Sequence, residues 1–220
     1  MNSKKTLIVG LPRTGTTSLC AATLQLGYTT AHTAYTRDTF LEAEVLADTP
    51  IFCDYQKLSM YFENTQLILL QREQTGWAIS VSKLLNRMAK NLMSQSGGFN
   101  DTIKRAYFQI FPGLTLDLTN NFDYLIECYK KHQHQVFEFA KRNSIPLLSL
   151  NVQTDSINTL TNFLPNKTSE PFKIFPHLNQ NGKVTAWKDV NHPLKIESTH
   201  LGKAEKDSLL YQFFSEVKDV

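Results

Sequence analysis

The chain has 220 residues, of which 41% are hydrophobic and 20% charged, with a formal net charge of +3. This length and apolar content suit one domain with a substantial core, and we expect a single domain over residues 1–220. Lys and Arg outnumber Asp and Glu only by 23 to 20, which argues against a nucleic-acid partner.

The first predicted unit is a strand, a loop and a helix. Residues 5–9 form an apolar, β-branched run, and residues 18–26 carry apolar side chains at helical spacing. Gly10 and Gly15 have the spacing of the nucleotide-binding pattern G-x-x-x-x-G-K-[ST], but Thr16 stands at the lysine position. The unit predicts a cradle of backbone N–H groups for a phosphate, with its cation displaced to Arg13.

The next stretch predicts a helix, a strand and a second helix. Residues 36–47 are typical of a capped amphipathic helix, and Pro50-Ile51-Phe52-Cys53 is typical of a short buried strand that ends at Asp54. Residues 55–62 then predict the crossover helix.

Residues 66–71 hold a continuous apolar run bounded by polar residues, which predicts a strand buried on both faces of a parallel sheet. Arg72 follows at its carboxyl end, and a long helix is predicted over residues 77–93, with Ser80 in its first turns. A guanidinium beside a hydroxyl suits a phosphate, because the first gives two parallel contacts and the second adds a directional donor.

The remaining elements continue the alternation of strands and helices. Residues 101–110 predict a helix before the turn at residues 111–113, residues 121–142 a long helix, and residues 145–150 the next core strand. Such an alternation predicts a three-layer α/β fold with a doubly wound parallel sheet and a P-loop-like phosphate-binding loop.

Residues 12–18, Pro-Arg-Thr-Gly-Thr-Thr-Ser, resemble the 5′-phosphosulfate loop of sulfotransferases that use 3′-phosphoadenosine 5′-phosphosulfate (PAPS). Arg72 and Ser80 resemble the family's site for the 3′-phosphate. The resemblance implies PAPS as sulfuryl donor, 3′,5′-adenosine bisphosphate (PAP) as product and no metal. The implied nucleotide-binding residues are Arg13, Thr14, Gly15, Thr16, Thr17, Ser18, Arg72 and Ser80.

The resemblance to bacterial members of this family continues beyond residue 120 and covers nearly the whole chain. Residues 181–188 are similar in layout to the family's R-K-G-x-x-G-D-W-K segment, although Asn181 replaces its leading arginine and Ala186 precedes the tryptophan. This similarity implies a phosphate contact from Lys183.

The implied reaction moves a sulfuryl group to a hydroxyl or amine acceptor, with Arg13 neutralising charge on the leaving phosphate. An alcohol acceptor also needs a base, and three residues are candidates. His32 follows the first helix in a loop beside the cradle, Asp48 precedes the predicted strand, and Asp54 ends it, where soluble phenol-type sulfotransferases place a catalytic histidine. Since a histidine titrates near neutrality, we place His32 first, Asp48 second and Asp54 third.

Two other functions fit parts of the pattern. A P-loop kinase or NTPase predicts dependence on ATP and Mg²⁺, and a non-catalytic module predicts binding of an adenosine bisphosphate without turnover. The acceptor is expected to be a small molecule or glycan, bound by an apolar pocket with candidate residues Tyr35, Phe40, Phe99, Tyr107, Phe108 and Phe111.

Cellular location is inferred from the cysteines and from hydropathy. The three cysteines lack C-x-x-C spacing, and no run of about 18 apolar residues occurs. We therefore expect a cytoplasmic protein with no membrane partner, disulfide framework or zinc site, while its oligomeric state stays open.

Overall fold

The computed structural model describes residues 4–169, 175 and 187–198. In this part of the chain, five parallel strands form one sheet in the order β2-β3-β1-β4-β5. The strands are β1 Lys5–Ile8, β2 Thr30–Ala31, β3 Val45–Ala47, β4 Thr65–Leu70 and β5 Leu147–Leu150. The predicted parallel α/β sheet is confirmed, as are the strands that were predicted over residues 5–9, 66–71 and 145–150.

Helices connect the strands. They are α1 Thr16–Gln25, α2 Arg37–Glu42, α3 Ile51–Tyr61, α4 Gln74–Met93, α5 Asp101–Ile110, α6 Phe122–Arg142 and α7 Ile157–Phe163. Short 3₁₀ turns lie at Leu118–Asn120 and Trp187–Asp189. The long helices predicted near residues 77–93, 101–110 and 121–142 are confirmed.

Alternate side chains of the central strands enter two separate cores, as the pleat of a sheet requires. Leu7 and Leu67 pack with α3 and α6 on one face. Ile8 and Ile68 pack with α1 and α7 on the other face. The sheet is therefore covered on both sides, which explains why residues 67–70 of β4 are all apolar and buried.

A third core holds α4 and α5 beside the carboxyl end of the sheet. Its centre is Trp77, which is fully buried and lies 4.5 Å from the Tyr129 ring between centroids. Leu11, from the loop after β1, belongs to the same cluster. This packing fixes α4 and α5 next to the loop that follows β1.

Two predictions between residues 36 and 54 are wrong. The helix that begins after Thr36 ends at Glu42, and residues 45–47 are strand β3 rather than helix. The strand predicted over residues 50–53 is the first turn of α3. Its residues Ile51, Phe52 and Cys53 are all buried. Because this helical turn is buried on every side, its sequence is uniformly apolar and lacks the 3.6-residue spacing that would have indicated a helix.

The segment 187–198 returns to the edge of the sheet. The Thr30 N–H donates to the carbonyl of Leu194 at 3.0 Å, and the Ile196 N–H donates to the carbonyl of Thr30 at 2.9 Å. These bonds pair the segment with β2, and the Trp187 ring at the start of the segment contacts His32, which follows that strand.

His132 is a buried imidazole that ties α6 to the end of β1. Only 3% of its surface is exposed, and its Nε2 donates to the Val9 carbonyl at 2.7 Å. Burial lowers the pKa of His132 to about 4, against a smaller opposing effect of the hydrogen bond. The folded protein therefore keeps this ring neutral at pH 7.

We expect His132 to make the protein less stable in acid. Since the folded pKa lies below the ordinary value of 6.5, its contribution is complete above pH 6.5 and is lost as the pH falls toward 4. The loss is about 3 kcal/mol. Denaturant unfolding at a series of pH values should show a steeper acid decline for the wild type than for His132→Gln, and equal slopes would contradict the assignment.

Candidate active site

Each strand of the sheet is followed by at least one residue that lies at the same carboxyl edge. His32 directly follows β2, Asp48 follows β3, and the 10–15 loop follows β1. Arg72 comes after β4 and Val152 after β5. Parallel strands present their carboxyl ends together. One cavity of about 340 Å³ is lined by His32, Asp48, Arg72, Val152 and residues 12–15 of the loop.

The loop after β1 leads into α1 with its N-terminal N–H groups uncapped. Gly15, the residue before the helix, has φ 106°, and no side chain accepts a hydrogen bond from the helix N-terminus. A Cβ on Gly15 would lie 2.6 Å from Val152 Cγ2, and one on Gly10 would lie 2.5 Å from Leu70 Cβ. Glycine at both positions therefore allows a close turn that leaves donors and the helix dipole facing an anion.

Arg13 occupies the middle of this loop in a left-handed backbone conformation, with φ 73°. Its side-chain Nε donates to Ser80 Oγ at 2.9 Å. Its backbone carbonyl accepts from Arg72 Nη1 at 2.7 Å. In this strained conformation the guanidinium contacts α4, and the backbone carbonyl contacts Arg72, which follows β4.

Further contacts make this arrangement rigid. Trp77 Nε1 donates to the Pro12 carbonyl at 3.0 Å, and Thr14 Oγ1 donates to the Leu11 carbonyl at 2.7 Å. The hydroxyl of Tyr129 accepts from the Arg72 N–H at 2.9 Å and donates to the Arg72 carbonyl at 3.2 Å. The loop and the Arg72 backbone are therefore held in place by the protein itself.

The charge around Arg13 favours an anionic ligand. Its pKa is lowered, first by partial burial and then by the neighbouring cations Arg72 and Arg87. The side chains of Arg13 and Arg72 line the cavity. Three guanidinium groups near one another indicate a site where a negatively charged group relieves their repulsion.

His32 lies between the start of α1 and Asp48. Its Nε2 is 3.0 Å from Thr17 Oγ1, 3.2 Å from Thr16 Oγ1 and 3.5 Å from Asp48 Oδ2. The Trp187 ring stacks on the imidazole, with centroids 5.5 Å apart. Burial lowers the pKa of His32, and Asp48 partly opposes that shift, so the ring is neutral at pH 7.

Asp48 turns one carboxylate oxygen toward the imidazole and uses the other to hold its own loop. Oδ1 accepts from the Thr49 N–H at 2.7 Å and from Thr49 Oγ1 at 3.1 Å. The Asp48 backbone has φ 60°, an uncommon conformation for a residue other than glycine. The local structure therefore fixes Oδ2 beside His32.

Asp54 does not lie in this cavity, because the strand that was predicted to end at it is the helix α3. Its carboxylate is 3% exposed and forms a two-pronged ion pair with Arg105 Nη1 and Nη2 on α5. A carboxylate neutralised in this way holds two helices together, and Asp54 is not among the residues that line the cavity. We therefore correct its expected role as a base.

The other predicted residues divide between the cavity and its surroundings. The cavity is lined by Thr14, Thr16, Thr17 and Ser18 together with Arg13 and Arg72. Ser80 is not part of this lining, but it is hydrogen-bonded to Arg13, which is. Lys183 lies outside the described residues. Among the six candidate acceptor-binding aromatic residues, the cavity lining includes Tyr107.

Sequence reasoning missed some residues of the lining. Val152 and Gln153 face the cavity, and their place directly after a core strand was the available signal, by the same edge rule that pointed to Arg72. The stacking of Trp187 on His32 had no local signal, because it depends on the return of the chain to β2.

In the part of the chain that the structure describes, His, Cys, Asp and Glu side chains form no group of three or more suited to a metal ion. Each helix of these ranges is too short or too polar to cross a bilayer.

Comparison with known proteins gives one assignment. A family model for the sulfotransferase domain matches residues 5–39 and 33–184. No curated protein matches the chain significantly. The family match includes the phosphate loop, Arg72, Ser80, His32 and Asp48, and it spans well over half of the chain. The protein is a member of the sulfotransferase domain family.

Proposed function

We propose that this sulfotransferase moves a sulfuryl group from PAPS to a hydroxyl or amine of a small-molecule or glycan acceptor. The observation that carries the proposal is the cluster of Arg13, Ser80 and Arg72 beside the uncapped start of α1. The N-terminus of a helix suits one phosphate. Arg72 and Ser80, each hydrogen-bonded to Arg13, suit a second one, as a nucleotide with phosphates at both ends requires.

The 5′ end of the donor is assigned to the loop and α1. Backbone N–H groups of residues 14–17 would bind the 5′-phosphosulfate, and the Arg13 guanidinium would neutralise charge that develops on the leaving phosphate. Thr16 occupies the place of the lysine that nucleotide-hydrolysing loops use together with Mg²⁺. The only cationic side chain of the loop is therefore Arg13.

The 3′-phosphate is assigned to Arg72 and Ser80. Arg72 donates from Nη1 to the Arg13 carbonyl. The other N–H groups of its guanidinium can then donate to a phosphate. Ser80 Oγ accepts from Arg13, so its O–H is available as a donor. The two residues thus connect the nucleotide's 3′ end to the loop that holds its 5′ end.

The transfer step is an in-line displacement at sulfur. The acceptor oxygen forms a bond to sulfur while the bond from sulfur to the bridging oxygen breaks, and PAP leaves with the electron pair. The acceptor proton passes to His32, the base we propose, which Asp48, Thr16 and Thr17 position. Asp48 is the second candidate for this proton.

The pH profile distinguishes the two candidates. Because burial lowers the pKa of His32, kcat/KM should rise with pH along an acid limb whose midpoint lies below the ordinary histidine pKa of about 6.5. His32→Gln should reduce kcat roughly a hundredfold or more and remove the limb. Asp48→Asn should shift the limb to lower pH, since Asp48 raises the pKa of His32.

The opposite result would reassign the base. If Asp48→Asn abolishes turnover while His32→Gln retains both most of the rate and the acid limb, the proton passes to Asp48. Thermal unfolding of both variants serves as the control for folding.

Nucleotide selectivity tests the donor. Calorimetry should show that PAP binds much more tightly than 5′-AMP, and that ATP with Mg²⁺ competes poorly. A kinase or NTPase predicts the reverse order. A non-catalytic module predicts the same binding order without turnover.

A cytoplasmic location is part of the proposal. Cys20, Cys53 and Cys128 are all buried and unpaired, as in proteins of reducing compartments.

A further inference from the structure

Tyr107 is a buried tyrosine on α5 that contributes to the wall of the cavity. It is 5% exposed and belongs to the cavity lining together with Arg13 and Asp48. Its ring packs edge-on against Phe52, with centroids 6.0 Å apart, and stacks with Phe111 at 6.3 Å. These aromatic contacts fix the orientation of the ring, and therefore also the position of its hydroxyl.

The Tyr107 hydroxyl makes no hydrogen bond to any of the residues that the structure describes. Among the described residues, Ser59 Oγ is the one buried side-chain oxygen or nitrogen that has neither solvent access nor a hydrogen-bond partner. The Tyr107 oxygen thus retains access to solvent, and the cavity is the opening that its side chain lines. A tyrosine buried to this extent normally finds a partner for its O–H, so a bound ligand is the expected partner.

The charges around this hydroxyl keep it protonated. Burial raises the pKa of Tyr107 well above its ordinary value, and Asp48 and Tyr35 raise it further, while Arg13 opposes them. The group can therefore donate a hydrogen bond at neutral pH and cannot serve as a base. Arg13 and Asp48 line the same cavity as Tyr107.

The helix that carries Tyr107 is anchored two residues earlier. Arg105 forms the buried ion pair with Asp54 of α3, and Gln109 Nε2 donates to the Cys53 carbonyl at 3.2 Å. These contacts hold α5 against α3 on both sides of Tyr107. A donor fixed in advance costs little reorganisation when charge develops nearby.

We propose that Tyr107 is a catalytic residue whose hydroxyl donates a hydrogen bond to a non-bridging oxygen of the sulfuryl group of bound PAPS. The inference rests on the proposed function. No proton leaves Tyr107, and the hydrogen bond persists while sulfur passes from the phosphate to the acceptor. Arg13, which lines the same cavity, and Tyr107 then both contact the bound donor.

Calorimetry with PAPS and PAP tests this contact without an acceptor, because the two nucleotides differ by the sulfuryl group alone. Tyr107→Phe keeps the ring and its packing. We expect this variant to bind PAPS about tenfold more weakly and PAP with unchanged affinity. Tyr124→Phe is the matched control, since its hydroxyl bonds to the Pro112 carbonyl at 3.2 Å, outside the cavity lining, and should leave both affinities unchanged.

Two results separate failure of the inference from failure of the proposed function. If Tyr107→Phe weakens PAPS and PAP equally, or weakens neither, the contact with the sulfuryl group is excluded and the donor assignment stands. If the wild-type protein binds neither nucleotide, the proposed function is overturned, and the inference falls with it.

Discussion

Arg13→Ala should lower kcat/KM for sulfuryl transfer roughly a thousandfold, the scale expected when a cation that neutralises transition-state charge is removed. The guanidinium is bonded to Ser80 and lines the cavity at the phosphate loop. The contact of Arg72 should persist, because it is made to the Arg13 backbone carbonyl. Initial rates with radiolabelled PAPS measure the loss.

Two variants control this result. Arg13→Lys keeps the charge and the same positive φ, so it should recover part of the rate and show that backbone strain is not the cause. Arg142→Ala removes an exposed arginine at the end of α6 and should leave the rate unchanged. A loss below about tenfold in Arg13→Ala would contradict the role that we assign to its charge.

Arg72→Ala should weaken binding of PAP roughly a hundredfold, as expected for the loss of a charge-assisted pair with a phosphate. Binding of 5′-AMP should weaken much less, because that nucleotide lacks the 3′-phosphate. Calorimetric titration of both nucleotides into the wild type and the variant gives the ratio of the two effects.

This ratio is the informative quantity, since Arg72 also holds the Arg13 carbonyl at 2.7 Å. A loosened loop would weaken both nucleotides to the same extent. Equal weakening would therefore show that Arg72 supports the loop and does not bind the 3′-phosphate. Ser80→Ala provides a second, smaller test of the same site.

Much of the site was predictable because it depends on local patterns. The run at residues 5–9 and the glycines at 10 and 15 predicted β1, the phosphate loop and α1. The apolar run at residues 66–71 predicted β4 and placed Arg72 at its end. Since strand ends share one edge in a parallel sheet, the sequence also predicted that these residues lie together.

The region between α1 and β4 was not predictable in the same way. Strand β2 has only two residues and β3 only three, too few for a pattern of alternation. The apolar residues at the start of α3 are buried on all sides, so they fit a strand as well as a helix. The error placed Asp48 before a predicted strand, where the structure has it after β3, and it added Asp54 as a third candidate base at the end of that strand.

Long-range contacts account for the remaining differences. The partner of Asp54 is Arg105, which is 51 residues away. The stacking of Trp187 on His32 needs the pairing of residues 194 and 196 with Thr30. Neither contact leaves a local signal, because each depends on how separate helices and strands pack.

Transfer of radiolabelled sulfate from PAPS to a panel of phenols, alcohols, amines and oligosaccharides tests the central claim most directly. The proposed function predicts labelled product and PAP in equal amounts, with no requirement for ATP. The contrary result is a protein that transfers no label to any class of acceptor, or that consumes ATP with Mg²⁺ in place of PAPS.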